Sequence, residues 1–521
     1  MRATSLGHAG ILIETDHGSI VCDPWFVPAF FGSWFVFPRN DHLPEPVRAA
    51  VEHPDYLYIS HLHADHLDLA FLREHIDRSA TVLLPDYPTT ELEQVLRSLG
   101  FERFVRTRHA RPLELPGGLS VTIHIETSIS DGPGGDSALV VDDGEVRLVN
   151  MNDCRIHDLA PLTADRPVDI QWLQYSGAIW YPMVYDYPPA VMRTLVDQKV
   201  EAQMSRAQRY VEAVGARVVV PSAGPPGFLD PELFHLNVID GDELSIFPDQ
   251  PAFVRRLADA GIDTARIAIP GTTFEVTPAA ITARHPIPDD EVRAIFDDKR
   301  AYLERYAADW APWLAEHKAT WHRPTTALLD QLKAWWEPLL ALAPMLRQGV
   351  GANVLLRTGD DAVLIDFPGG EVRRHAEEPF AFSFDLPREL VETVVADRAV
   401  DWSNALFLSC RFSAWRAGEF NEYVYHFFKS LSEERMLRAE AEARYRLAPP
   451  PEVEEIELGG YVMERWCPHR QADLSVFGEI CDEVLTCHLH GWQFDLATGR
   501  CLTAEDRHLR VRPVPPSRAA S

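Results

Sequence analysis

Between Tyr56 and Asp68 the chain reads Tyr56-Leu57-Tyr58-Ile59-Ser60-His61-Leu62-His63-Ala64-Asp65-His66-Leu67-Asp68. Three histidines and a carboxylate fall within six residues, directly after an apolar run of strand character. A strand that ends in this way throws its polar side chains onto the loop and first helical turn beyond it. The chain must then fold so that this loop faces a protected pocket. Neutral imidazoles together with an ionised carboxylate suit a borderline metal such as zinc or iron. The competing reading is a histidine-rich surface loop.

A second metal signature lies near the other end. Cys467-Pro468-His469 is followed, after 17 residues, by Cys487-His488-Leu489-His490. Each box offers one thiolate and one imidazole. Cys467 and Cys487 can hold one iron, and His469 and His490 the other, which is the ligand set of a Rieske [2Fe–2S] centre. A zinc site from the same four ligands is the alternative. The flank Gly491-Trp492-Gln493-Phe494-Asp495 is that of a second Rieske box and argues against zinc.

Composition bounds the rest. A chain of 521 residues, 46% apolar and 24% charged, has room for two or three domains with substantial cores. The net charge of −29 disfavours non-specific binding to nucleic acid or to anionic membrane. An anionic substrate would need a local cluster of Arg or Lys, which sequence does not locate. Seven cysteines, two of them claimed by the cluster, do not form a disulfide framework. A strand-like Ile11-Leu12-Ile13 comes early, with no charged-then-apolar leader before it. No apolar run approaches membrane-spanning length, so the expectation is a soluble, cytoplasmic protein.

Along the chain, residues 1–30 read as hairpin strands turning at Asp16-His17-Gly18. Seven aromatics follow in residues 25–37, either a roof over a site or core beneath a long loop. Strand and helix units continue, with strands at Val121–Ile125, Ala138–Val141, Val146–Val149 and Arg217–Val220, and a helix over Val191–Val214. Residues 265–277 read as the last strands of this unit. The tryptophan-rich stretch 285–345 has helical spacing and reads as packing between helices. Residues 352–428 read as α+β, with strands at Asn353–Leu356, Val363–Ile365 and Ala405–Leu408 and a helix from Pro387. Ser430–Arg446 reads as an exposed charged helix, and Ala448-Pro449-Pro450-Pro451 as a linker. The expected domains are therefore 1–280, an extension at 281–430, an arm and linker at 431–454, and a Rieske unit at 455–515.

The His-x-His-x-Asp-His motif and its setting resemble the metallo-β-lactamase fold. The fold class expected from that resemblance is α/β, a metallo-β-lactamase-like αββα sandwich, followed by an α+β extension and a small all-β Rieske domain. Several further segments sharpen the resemblance: Leu6-Gly7-His8-Ala9, Asp23-Pro24-Trp25, Asn152-Asp153-Cys154 and Pro221-Ser222-Ala223-Gly224. Together with the motif they are similar to the CMP-N-acetylneuraminic acid hydroxylases, and weaker similarity continues to Tyr425-His426-Phe427-Phe428. The resemblance implies an iron-dependent monooxygenase fed by a Rieske cluster and an external electron-transfer chain. In that family the Rieske domain comes first, whereas here it comes last. The Rieske segment is also short, with few strand residues before Trp466-Cys467.

Carried over residue by residue, the resemblance assigns His61, His63, Asp65, His66 and Asp153 to the catalytic metal. His124, Asp136 and His235 are further ligand candidates, each equally readable as a structural residue. His8 is a candidate for supporting a ligand or touching substrate. The expected cofactors are the cluster and one or two non-haem irons, or zinc in place of iron. The expected partners are a small polar metabolite, with a nucleotide sugar as the family's example, O2, and a ferredoxin or NAD(P)H-dependent reductase. Two other functions compete: a zinc-dependent hydrolase with an accessory cluster, and a redox or electron-transfer protein.

Overall fold

The computed structural model describes residues 1–126, 135–156, 158–163, 166–241, 243–447, 454–469, 472–489, 491–503 and 507–514. Two sheets face each other in the N-terminal half. The first has eight strands, in the order Ile281–Arg284, Thr273–Val276, Arg2–Gly7, Gly10–Thr15, Gly18–Cys22, Tyr56–Tyr58, Thr81–Leu84 and Phe104–Arg106. The second has six: Val218–Ser222, Ile170–Gln174, Arg147–Asn150, Asp136–Asp142, Ser120–Glu126 and Leu113–Glu114. Alternating apolar residues point inward from both, so Ile11, Ile13 and Ile20 meet Ile123, Leu139 and Trp172 in one core.

Helices cover both outer faces. Glu45–Glu52, Leu69–Glu74 and Glu91–Ser98 lie on the first sheet. Pro189–Val214 and Gln250–Asp259 lie on the second. The long Pro189–Val214 helix starts on a proline and ends at Gly215 in the left-handed region, where a glycine is free of steric cost. This helix–sheet–sheet–helix layering is the metallo-β-lactamase-like sandwich expected from the motif.

Helices Asp289–Asp297, Lys299–Ala319, Leu328–Leu342 and Pro344–Val350 lead into a five-stranded sheet. Its order is Glu371–Arg374, Asp361–Asp366, Asn353–Thr358, Phe382–Asp385 and Ser413–Arg416. The expected strand at Ala405–Leu408 is instead a turn running into the short 3-10 segment Phe407–Ser409. Leu406, Phe407, Leu408 and Ser409 are all buried, so no alternation of faces is available to a strand. The charged helix is also corrected. It spans Glu433–Leu447 and buries Arg435, Met436, Ala439, Glu440 and Ala443. Its polar groups have partners: Glu440 accepts hydrogen bonds from the Met345 and Leu346 amides, and Arg435 pairs with Glu91 at 2.7 Å. Buried charge of this kind reads as a solvated face in sequence, because pairing is invisible there.

The C-terminal unit is two small antiparallel sheets. Glu455–Leu458, Tyr461–Glu464 and Val511–Pro513 form one, and Gly478–Cys481, Val484–Cys487 and Trp492–Asp495 the other. The short base rests on the sandwich of the same chain. Phe477 meets Tyr210 at 5.6 Å between ring centroids, and Arg209 pairs with Glu479 at 2.5 Å. The linker at residues 448–451 lies outside the described residues. Among the described residues no helix is long and apolar enough to cross a membrane.

Candidate metal centre and its cavity

One end of the sandwich gathers the strand ends. His8 follows the strand Arg2–Gly7, Asp23 follows Gly18–Cys22, and His61 to His66 follow Tyr56–Tyr58. From the second sheet come Asp136, at the start of its strand, and Asp153, just beyond Arg147–Asn150. Four residues in these turns, His8, Asp23, Asn152 and Ala223, hold left-handed backbone without being glycine. Such strain is paid only where the surrounding structure fixes it, and functional turns are where it collects.

Two triads result. His8, Asp65 and His66 form one, and His61, His63 and Asp153 the other; within each, the donor atoms lie within 4.8 Å of one another. Asp153 faces both, with Oδ1 3.9 Å from His61 Nδ1 and Oδ2 3.6 Å from His66 Nε2. Asp136 stands 3.7 Å from His61. Asp65 Oδ2 lies 2.9 Å from His8 Nε2.

Asp23 holds the arrangement from behind. It is fully buried, accepts from the Ser60 amide and hydroxyl at 2.7 Å each, and lies 2.9 Å from His66 Nδ1. That contact aims His66 Nε2 toward Asp65 and Asp153, the usual way a carboxylate orients a ligating imidazole. Asp68 closes the loop by capping the helix Leu69–Glu74 and accepting from the Phe26 and Val27 amides.

Acids and imidazoles packed this closely shift one another. Burial lowers the His61 and His63 imidazoles. Burial acts on His66 in the same direction, yet Asp153, Asp65 and Asp23 hold it up at about 10. Burial pushes Asp65 up, but His66, His8 and His63 outweigh it and keep the carboxyl well below its usual range. His63 Nε2, His66 Nε2, Asp65 Oδ1 and Asp153 Oδ1 are buried with no hydrogen-bond partner. Orphaned nitrogens and carboxylate oxygens converging in this way fit two metal ions sharing Asp153.

All five motif residues and His8 thus come together, with Asp136 beside them. His124 and His235 do not. His124 is buried in the strand Ser120–Glu126, its ring 6.1 Å from His109, and burial lowers it to about 4. His235 is an exposed residue of the 3-10 turn Phe234–Leu236.

A cavity of about 560 Å³ opens from this centre. His63, Asp65, Asp136 and Asp153 line one part of it, and His469, Gly491 and Trp492 of the Rieske boxes line another. The His469 ring stacks on Trp492 at 3.7 Å. Cys467 and Cys487 are fully buried beneath. His490 lies outside the described residues. The helix Glu422–Lys429 contributes Glu422, Tyr425, His426 and Lys429 to the same cavity. Glu422 is buried and pairs with Arg446 at 2.5 Å and with Arg507 of the Rieske unit at 2.6 Å, while His469 lies 3.7 Å away. Of the aromatic loop, Trp34 lines the cavity, and Trp25, buried, sets its ring 4.9 Å from His8. The loop is both core and wall.

Sequence reasoning missed Asp23 as an anchor, although an aspartate directly after a buried strand was visible. It also missed Glu422, whose role exists only once three distant segments meet.

Residues 453–513 match the Rieske [2Fe-2S] domain family. Residues 328–445 match the "Rv3818-like, SCP2-like domain", which takes in Tyr425–Phe428. Over 521 residues the chain is 46% identical to "Putative Rieske 2Fe-2S iron-sulfur protein Rv3818" of Mycobacterium tuberculosis (strain ATCC 25618 / H37Rv), covering 98% of this chain and 99% of that one. Two solved structures are similar at 18% identity and a TM-score of 0.36, each over 53% of this chain. One is Igni18, a metallo hydrolase of Ignicoccus hospitalis, covered to 99%; the other is CmlA, a diiron beta-hydroxylase of Streptomyces venezuelae, covered to 54%. Likeness at that level carries no weight for function.

Proposed function

We propose that this chain, which belongs to the family of Rv3818-like Rieske iron–sulfur proteins, is a Rieske-dependent non-haem iron monooxygenase acting on a small polar metabolite. One observation carries the reading: a single cavity within one chain is lined both by the His/Asp centre and by the Rieske-box residues His469 and Trp492. A hydrolase of this fold needs only a Lewis acid and an activated water, and gives an electron carrier no reason to open onto its substrate cavity.

In this reading His61, His63 and Asp153 would hold one iron and His8, Asp65 and His66 the other, with Asp153 facing both triads and Asp136 beside His61. Such irons supply O2 activation, and net R–H + O2 + 2e⁻ + 2H⁺ gives R–OH + H2O. Asp23 and Ser60 fix the His66 ring. The paired Glu422 holds the Rieske unit against the cavity through Arg507. Trp34, Trp180 and Tyr425 wall the space from bulk water. The electrons come one at a time from a ferredoxin or an NAD(P)H-dependent reductase. A nucleotide sugar is the substrate that the hydroxylase resemblance suggests.

Metal analysis of anaerobically purified full-length protein tests the reading. About two irons beyond the two of the cluster, with O2-dependent turnover requiring a reductant, are expected. Zinc in the His/Asp centre together with reductant-independent turnover would establish the hydrolase instead.

A further inference from the structure

The helix Pro189–Val214 is unusual in what it buries. Leu195, Lys199, Ala202, Gln203 and Arg206 recur at helical spacing and face the cavity. A stripe in this position is ordinarily apolar, since it points at the core. Here Gln203 and Arg206 are buried, and the Gln203 Oε1 has no hydrogen-bond partner. Arg155, two residues beyond Asp153, joins Lys199 and Arg206 on the cavity wall.

These three cations are close enough to act on one another. Burial, and after it the charges of Arg155 and Arg206, together lower the Lys199 amine to about 7. Arg206 donates to Gln174 Oε1 at 3.4 Å. Among the described residues, neither Lys199 nor Arg155 has an ion pair. Asp65, Asp136 and Asp153 on the cavity lining belong to the His/Asp centre, and three further charged groups there have partners of their own. Arg416 lies over the Tyr181 and Tyr185 rings, Glu419 pairs with Arg500 and Glu422 with Arg446. A chain of net charge −29 has thus placed three basic side chains on the lining of one cavity, two of them with no ion pair among the described residues. Held only for stability, such a cluster is a cost; an anion between them turns it into attraction in a medium of low dielectric.

We infer that Arg155, Lys199 and Arg206 form the subsite for an oxyanion of the substrate, a carboxylate or phosphate, which places the rest of the molecule toward the His/Asp centre. The inference rests on reading this cavity as the active site. Two guanidinium groups and an ammonium on one wall match the several oxygens of such a group, and Arg in particular binds it in a bidentate fashion. Trp180 and Tyr181, also on the cavity wall, give the uncharged part of the molecule an aromatic surface.

The test is calorimetric titration of inorganic phosphate, and separately of acetate, into the full-length metal-loaded protein. The expected result is saturable binding of at least one of them, the tighter naming the group. Lys199→Met and Arg206→Gln each raise its Kd tenfold or more, Lys199→Arg restores binding, and Arg323→Gln, an exposed cation elsewhere, changes nothing. Unchanged visible circular dichroism of the Rieske centre confirms that each variant is folded. Equal binding by wild type and Lys199→Met, as for an anion held by the metals alone, overturns the inference, and so does no binding of either anion at millimolar concentration. Metal analysis of the same samples separates this result from the oxygenase reading. Lys199-dependent binding in a zinc-loaded protein would keep the subsite and remove the oxygenase.

Discussion

The His/Asp centre draws on five separate places in the chain, namely His8, Asp23, residues 60–66, Asp136 and Asp153, whereas both Rieske boxes lie within residues 467–490. The donors of the first sit at strand ends or in the turns that follow them, so the two sheets position them. The Rieske boxes are positioned relative to each other by two small sheets, and relative to the cavity by the packing of their unit on the rest of the chain, where Leu474 and Phe477 join one buried cluster with Tyr210 and Val211. Polar contacts across the same junction include Glu479 with Arg209 and Arg507 with Glu422. A centre set by sheet register should fail through its chemistry. A centre set by docking should fail through the delivery of electrons.

The strongest test of this contrast is Asp153→Ala, which removes the carboxylate facing both triads. Turnover should fall more than about 100-fold, of the order of a lost metal site, while the visible Rieske spectrum is unchanged. Cys487→Ala should remove both the spectrum and reductant-driven turnover. Mixing His63→Ala and Cys487→Ala chains comes next. Because one chain's cavity already contains both centres, the mixture should stay inactive, and recovery of a sizeable part of wild-type turnover would show electrons passing between chains.

Glu422→Gln should cost about 3 kcal/mol, the scale for breaking one partner out of a buried ion-pair network. Reoxidation of the reduced cluster by O2 and substrate should slow, with iron content unchanged; urea unfolding followed at the Rieske bands measures the stability loss. Unaltered reoxidation would break the docking argument. Asp23→Asn should weaken metal binding roughly 10- to 100-fold through a mis-set His66 ring, read by competition with a chelator. The smallest effect is expected from Glu440→Gln, remote from both centres. Loss of its charge at the start of the helix Pro344–Val350 should cost about 1 kcal/mol, with turnover unaffected.

The sequence alone determined what was local. The clustered His61–His66 run, the paired Cys/His boxes and the alternating strands each put chemistry and period into a few consecutive residues. The Rieske domain, the sandwich and a candidate His/Asp metal centre were legible for that reason. Tertiary structure decided everything that depends on distant chain segments meeting. It brought His8 and Asp23 to His66 and left His124 and His235 aside, since a strand's register, not its composition, sets which end a side chain occupies. It buried one face of the charged helix Glu433–Leu447, because pairing with Glu91 and the Met345 amide removes the cost that charge alone would carry. It also turned Lys199 and Arg206, an unremarked polar spacing on a long helix, into the cationic wall of a cavity, because only packing decides which face of a helix looks inward.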